Sequence, residues 1–249
     1  MKNFSIKKVL FLLILFISIV FNVIAYYRIN NLLKENEQIK IINKVNGSNK
    51  KVGGNMKILT VPYYTQRVMQ FSKEKKVENQ IVFLGDSITE SFNWEKHFNN
   101  YQVINRGIMG DSTKGILDRL SQITEIKPRK IFIMIGVNDL LNGIPNDKVI
   151  ENYQKIISNI KNKSKNSEII IQTILPVNEN NIKSINKNIV EINKKLKEIA
   201  KQENLLFIEL HDLYLDKTGN LNMEFSSDGV HLNEKGYAIW IKKIEKIIK

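Results

Sequence analysis

The chain has 249 residues, enough for one sizeable domain with extensions, and its 43% hydrophobic content can supply a real core. It has no cysteine, which excludes disulfides, a thiol nucleophile and Cys-based zinc or iron–sulfur sites. The net charge of +13 comes from lysines spread over nearly every predicted helix, with no reading motif or basic–aromatic cluster, so a nucleic-acid partner is not expected. Solvated helix faces account for that charge, as does contact with an anionic surface such as lipid headgroups or acidic wall polymers.

Lys2, Lys7 and Lys8 precede the uncharged run VLFLLILFISIVFNVIAYY over 9–27. Its 19 residues approach the ~20 that a bilayer-spanning helix needs. Basic residues at its start favour an inside N-terminus over 1–8, with the rest of the chain outside. The competing reading is a signal peptide cleaved near Val23-Ile24-Ala25, which would release a secreted protein, but such apolar regions usually run only about 7–15 residues. Length therefore favours an uncleaved anchor. Residues 28–56 read as a polar stalk closing in the linker NGSNKKVGGN, and the domain proper is expected over 57–249.

Within that domain, short apolar runs alternate with amphipathic ones. Strands are predicted over 81–84 (IVFL), 101–104 (YQVI), 130–135 (KIFIMI), 168–174 (EIIIQTI) and 205–209 (LLFIE). Helices are predicted over 113–123, 147–161, 182–202 and 234–248. Alternation of this kind, with nearly continuous apolar strands, predicts a three-layer α/β/α sandwich around a five-stranded parallel sheet. In such a fold, ligands sit beyond the C-terminal ends of the strands, where strand order reverses.

The strand ends carry the residues of interest. The first runs into Gly85-Asp86-Ser87, the second into Asn105-Arg106-Gly107-Ile108-Met109-Gly110, and the third into Gly136-Val137-Asn138-Asp139. A serine nucleophile needs preorganised donors for the oxyanion it creates, and the N–H groups of Ser87 and Gly110 with the Asn138 amide would supply three. Each residue alone has a plainer reading: Ser87 and Gly110 as turn formers, Asn138 as a helix cap. A base must come from three histidines. His97 reads as a surface or packing residue, and His211-Asp212 as a turn lacking further metal ligands. His231 follows Asp228 by three residues just before the last helix, a spacing that lets a carboxylate meet Nδ1 and leaves Nε2 for a serine; alone, the pair is equally a loop hydrogen bond. The four turns together are poorly explained as independent accidents.

These blocks resemble the SGNH hydrolase superfamily, the GDSL-type lipases and esterases. Gly85-Asp86-Ser87-Ile88 resembles the nucleophile block, with Ile88 where the name-giving pattern has Leu. Gly110 matches the glycine of the second block, Asn138 in GVND the asparagine of the third, and Asp228 with His231 the acid and base of the last. The phrases VINRGIMGDSTKGILDRL and KIFIMIGVNDLLNG are most similar to bacterial relatives of platelet-activating-factor acetylhydrolase-type proteins. The resemblance implies a flavodoxin-like fold, a Ser87–His231–Asp228 triad, an oxyanion hole of Ser87, Gly110 and Asn138, and hydrolysis of short acyl esters, acetyl above all. It implies neither a cofactor nor a metal. Phe92, Trp94 and Met109 flank the expected site as acyl-pocket candidates, with core packing as the alternative. The substrate is expected to be a cell-surface glycan or lipid ester. The rival readings are an acyltransferase on the same triad, a lysophospholipase, and a non-catalytic surface binding module.

Overall fold

A computed structural model of the chain describes residues 56–180 and 182–248. The predicted anchor over 9–27 lies outside these residues, as does the predicted stalk and linker apart from Met56. Among the described residues, no helix is long and apolar enough to cross a membrane.

Five parallel strands form one sheet: β1 (Ile81–Gly85), β2 (Val103–Gly107), β3 (Lys130–Met134), β4 (Glu168–Gln172) and β5 (Leu206–Ile208), in spatial order β2-β1-β3-β4-β5. That order reverses at β1, which pairs with β2 on one side and β3 on the other. Gly85 is level with Gly107 and with Met134, so the three strand ends open onto one rim. The switch point therefore lies where Ser87 emerges.

The helices gather in two groups. Thr113–Arg119 (α4), Asn146–Lys163 (α7) and Asn186–Gln202 (α8) pack on one another in series. The second group is an aromatic one. It joins the short helix Trp94–His97 (α3) to Glu234–Ile248 (α9), with Trp94 edge-on to Trp240 at 4.9 Å and stacked on Phe83 at 4.0 Å. Phe83 in turn stacks on Phe132 at 4.8 Å, which carries the same layer onto the sheet.

Three departures from the predicted elements stand out. Strand β2 does not start at Tyr101, because Gln102 takes a left-handed φ of 50° that breaks the extended run. It continues instead through Asn105, Arg106 and Gly107, whose polar character hides them from a search for apolar runs. Asn105 fits because its amide donates to the carbonyls of Thr89, Glu90 and Phe92 and its oxygen accepts from Gly107 N–H. The helix expected over 113–123 is two, α4 and Ser121–Thr124 (α5), joined at Leu120.

The third departure is a helix, Met56–Lys73 (α1), at the start of the domain. It has no continuous apolar stripe, and the proline at 62 reads as a stop signal. Polar and cation–π contacts dock it. Tyr64 Oη donates to Gly115 O at 2.8 Å, Gln122 Nε2 donates to Val68 O at 3.1 Å, and Arg106 lies 4.5 Å from the centre of the buried Phe71 ring while pairing with Glu74.

Candidate active site

Strand β1 ends at Gly85, and Asp86 caps the four-residue helix Ser87–Glu90 (α2) by accepting from Ile88 N–H at 3.0 Å. This places the buried Ser87 at the first helical position. The side chain of His231, 144 residues away, reaches it: Nε2 lies 2.9 Å from Ser87 Oγ. On the far side of the ring, Nδ1 lies 2.6 Å from Asp228 Oδ2. Asp228 Oδ1 accepts from the N–H groups of Val230 and His231, at 2.9 and 2.8 Å. Partial burial raises the Asp228 pKa, but the hydrogen bonds from the His231 ring and from Val230 and His231 N–H outweigh it, leaving a value of about 2. The carboxylate is thus ionised throughout the range in which an imidazole titrates.

The loop carrying this pair is anchored on both sides. Asn178 N–H donates to Gly229 O at 2.8 Å, and Tyr237 Oη of α9 donates to Ile88 O at 2.7 Å, tying the helix after His231 to the helix that holds Ser87.

Across the rim, Gly110 sits at φ 73°, in the left-handed region that favours glycine. Asn138 lies on Val137–Leu141 (α6), and its Nδ2 donates to Asp111 O at 2.9 Å, so the carboxamide holds the turn after β2 with one N–H and keeps the other. Among the described residues, the N–H groups of Ser87 and Gly110 have no acceptor. The structure therefore brings Ser87, His231 and Asp228 into one hydrogen-bonded chain, with Gly110 and Asn138 on the adjoining turns.

The acyl-pocket candidates separate. Trp94 is fully buried, stacked on Phe83, with its indole N–H donated to Thr89 O, so it belongs to the core and lines no open pocket. Phe92 is half-buried and stacks on Tyr237 at 4.8 Å, while Met109 is half exposed beside Gly110. His97 is exposed. His211 opens the 3-10 helix His211–Tyr214, and its Nδ1 lies 2.8 Å from Asp212 Oδ1.

The sequence contains the tripeptide Gly-Asp-Ser twice, at 85–87 and 110–112. Only one copy meets an imidazole. Ser112 Oγ instead accepts from Gly115 N–H at 3.2 Å as the N-cap of α4.

Buried charges behind the rim escape sequence reading altogether. Arg119 and Asp111 are paired at 2.8 Å, each side chain only 1% exposed. Asp139 accepts from the N–H and hydroxyl of Thr113, whose oxygen also accepts from Asn152. Burial pushes Asp86 from 3.8 up to about 7, with the nearby Asp111 and Asp139 charges adding and the Ile88 N–H opposing. The folded domain thus keeps this proton to about pH 7, while the unfolded chain releases it near 3.8, so the stability it contributes is lost as pH rises through that window. Asp86→Asn keeps an oxygen for Ile88 N–H and carries no charge. Its melting temperature relative to wild type is expected to climb between about pH 5 and about pH 8, by the equivalent of at most about 3 kcal/mol. A gap equal at both pH values would contradict this.

A serine–imidazole–carboxylate chain at the rim of a doubly wound parallel sheet is an arrangement shared by serine hydrolases. Residues 83–239 match the GDSL-like lipase/acylhydrolase family, and the chain belongs to it and is a hydrolase. The platelet-activating factor acetylhydrolase IB subunit alpha2 of Rattus norvegicus is 26% identical over 180 residues, covering 70% of this chain and 78% of that protein. A Streptococcus pneumonia structure described as a candidate platelet activating factor superposes with TM-score 0.70 at 26% identity, over 78% of this chain and 96% of that one. A candidate acylhydrolase from Bacteroides fragilis shares the fold, with TM-score 0.66 at 24% identity over 74% and 94% of the two chains.

Proposed function

We propose that the protein is a serine esterase that hydrolyses short-chain carboxylic esters, acetyl esters foremost, through an acyl-enzyme. The observation that carries this reading is the relay of 2.9 Å from Ser87 Oγ to His231 Nε2 and 2.6 Å from His231 Nδ1 to Asp228. Ser87 Oγ attacks the ester carbonyl as His231 Nε2 takes its proton, and the ionised Asp228 stabilises the imidazolium. The oxyanion is received by the N–H groups of Ser87 and Gly110 and the remaining Asn138 N–H. His231 then protonates the departing alcohol, and a water activated by the same ring releases the acid.

The preference for acetyl is supported by the similarity to a relative named as an acetylhydrolase. The basic start and the apolar run over 9–27 support an anchored, outward-facing enzyme acting on surface glycan or lipid esters. A series of p-nitrophenyl esters from C2 to C12 tests the acyl assignment: kcat/KM is expected to be highest at C2 and to fall by about tenfold or more by C8. A maximum at C8 or beyond would contradict it.

A further inference from the structure

The carboxylate of Glu90 joins three elements: the nucleophile helix α2, the turn after β2 and helix α1. Glu90 closes α2, the helix that Ser87 opens, and its side chain is only 13% exposed. One oxygen, Oε2, accepts from Met109 N–H at 2.6 Å, the residue immediately before Gly110. The other, Oε1, accepts from Tyr63 Oη of α1 at 2.6 Å. Arg67 of α1 adds charge from 2.8 Å, with its Nε off the hydrogen-bonding axis and without a hydrogen-bond partner. The approach is close-packed: a Cβ on Gly107 would run into the backbone nitrogen of Glu90.

We propose that Glu90 is a positioning residue that fixes the Met109–Gly110 turn as an oxyanion donor, and that Tyr63 of α1 sets the carboxylate in place. α1 is then a working part of the active site. This rests on the reading of Ser87 and Gly110 above. A charge-assisted bond of this length fixes a peptide plane more firmly than water does, and Gly110 at positive φ has no side chain of its own to hold it. Because Met109 is half exposed, water can satisfy its N–H once Glu90 is removed, so the domain folds while the donor loses its aim.

The test measures melting temperature, kcat and KM on p-nitrophenyl acetate, and labelling by a fluorophosphonate, for wild type, Glu90→Ala, Glu90→Gln and Tyr63→Phe. Glu90→Ala is expected to lose roughly 10- to 100-fold in kcat, the range for a misplaced catalytic group, with KM within about threefold. Glu90→Gln, which keeps an acceptor for Met109 N–H, is expected to recover most of the loss, and Tyr63→Phe to fall in the same direction by less. A folded Glu90→Ala with wild-type kcat, a loss confined to KM, or no rescue by Gln would each overturn the proposal. If Glu90→Ala does not fold, unchanged kcat in Tyr63→Phe overturns it and a reduced kcat with unchanged KM supports it. A wild type that the probe fails to label at Ser87 would strike the nucleophile reading itself, and this inference with it; a labelled wild type beside an unaffected Glu90→Ala would strike this inference alone.

Discussion

Ser87→Ala is expected to reduce kcat for p-nitrophenyl acetate by on the order of 10⁶-fold while leaving the melting curve nearly unchanged. The hydroxyl sits at the start of a four-residue helix, buried and, among the described residues, bonded only to His231, so its removal leaves a single unpaired imidazole nitrogen at the rim. The defect should therefore be chemical and not structural. Asn138→Ala should be milder, about 10²- to 10³-fold in kcat, the usual consequence of losing one oxyanion donor. Its other N–H braces Asp111 O, so a small loss of stability should accompany it. Hydrolysis by Ser87→Ala at the wild-type rate would place the reaction elsewhere.

Arg119→Ala should be the most damaging substitution for stability. The guanidinium donates from Nε to Asp111 Oδ2 at 2.9 Å and from Nη2 to Arg106 O at 2.8 Å and Gly85 O at 3.2 Å. One side chain thereby joins the end of β1, the end of β2 and the turn after Gly110. Asp111 is itself pushed up to about 6 by burial, against the pull of Arg119, and without Arg119 it is left as a buried carboxyl with no countercharge. Breaking a buried pair from one side costs about 3–5 kcal/mol, which for a domain of this size lowers the melting temperature by roughly 6–20 °C. Arg119→Lys should recover little, because one ammonium cannot reproduce the planar fork that reaches three acceptors. Thermal denaturation of either variant within about 1 °C of wild type would contradict this account.

What could be read from the sequence and what could not divide along physical lines. The strands at 81, 130 and 168 carry buried runs of Ile, Val, Leu and Phe, entered from a half-buried Lys130 and an exposed Glu168 in the last two, and such runs alternating with amphipathic helices point to a covered parallel sheet. Asp228 and His231 were legible because three residues in a turn suffice to bring a carboxylate to an imidazole. Half of β2 was illegible because Asn105 satisfies its neighbours through a side chain, which leaves no apolar period to find. Helix α1 was missed for a related reason: Tyr63, Tyr64 and Gln122 hold it by hydrogen bonds to distant residues. Trp94 was ambiguous because adjacency to the nucleophile in sequence does not say which face of a short helix the ring takes, and here it faces Phe83. The two Gly-Asp-Ser copies show the limit most directly. They are identical as tripeptides, and only the fold decides that one hydroxyl caps a helix while the other meets His231.

Intact-mass and peptide mapping after treatment with a fluorophosphonate tests the central claim most directly. The reagent forms a phosphorus–oxygen bond to an activated serine as fluoride departs, and the serine proton passes to the neighbouring base. A single adduct is expected, on the peptide containing Ser87, absent from Ser87→Ala and strongly slowed in His231→Ala. No adduct on the folded protein, or an adduct at Ser112 in place of Ser87, would contradict the account.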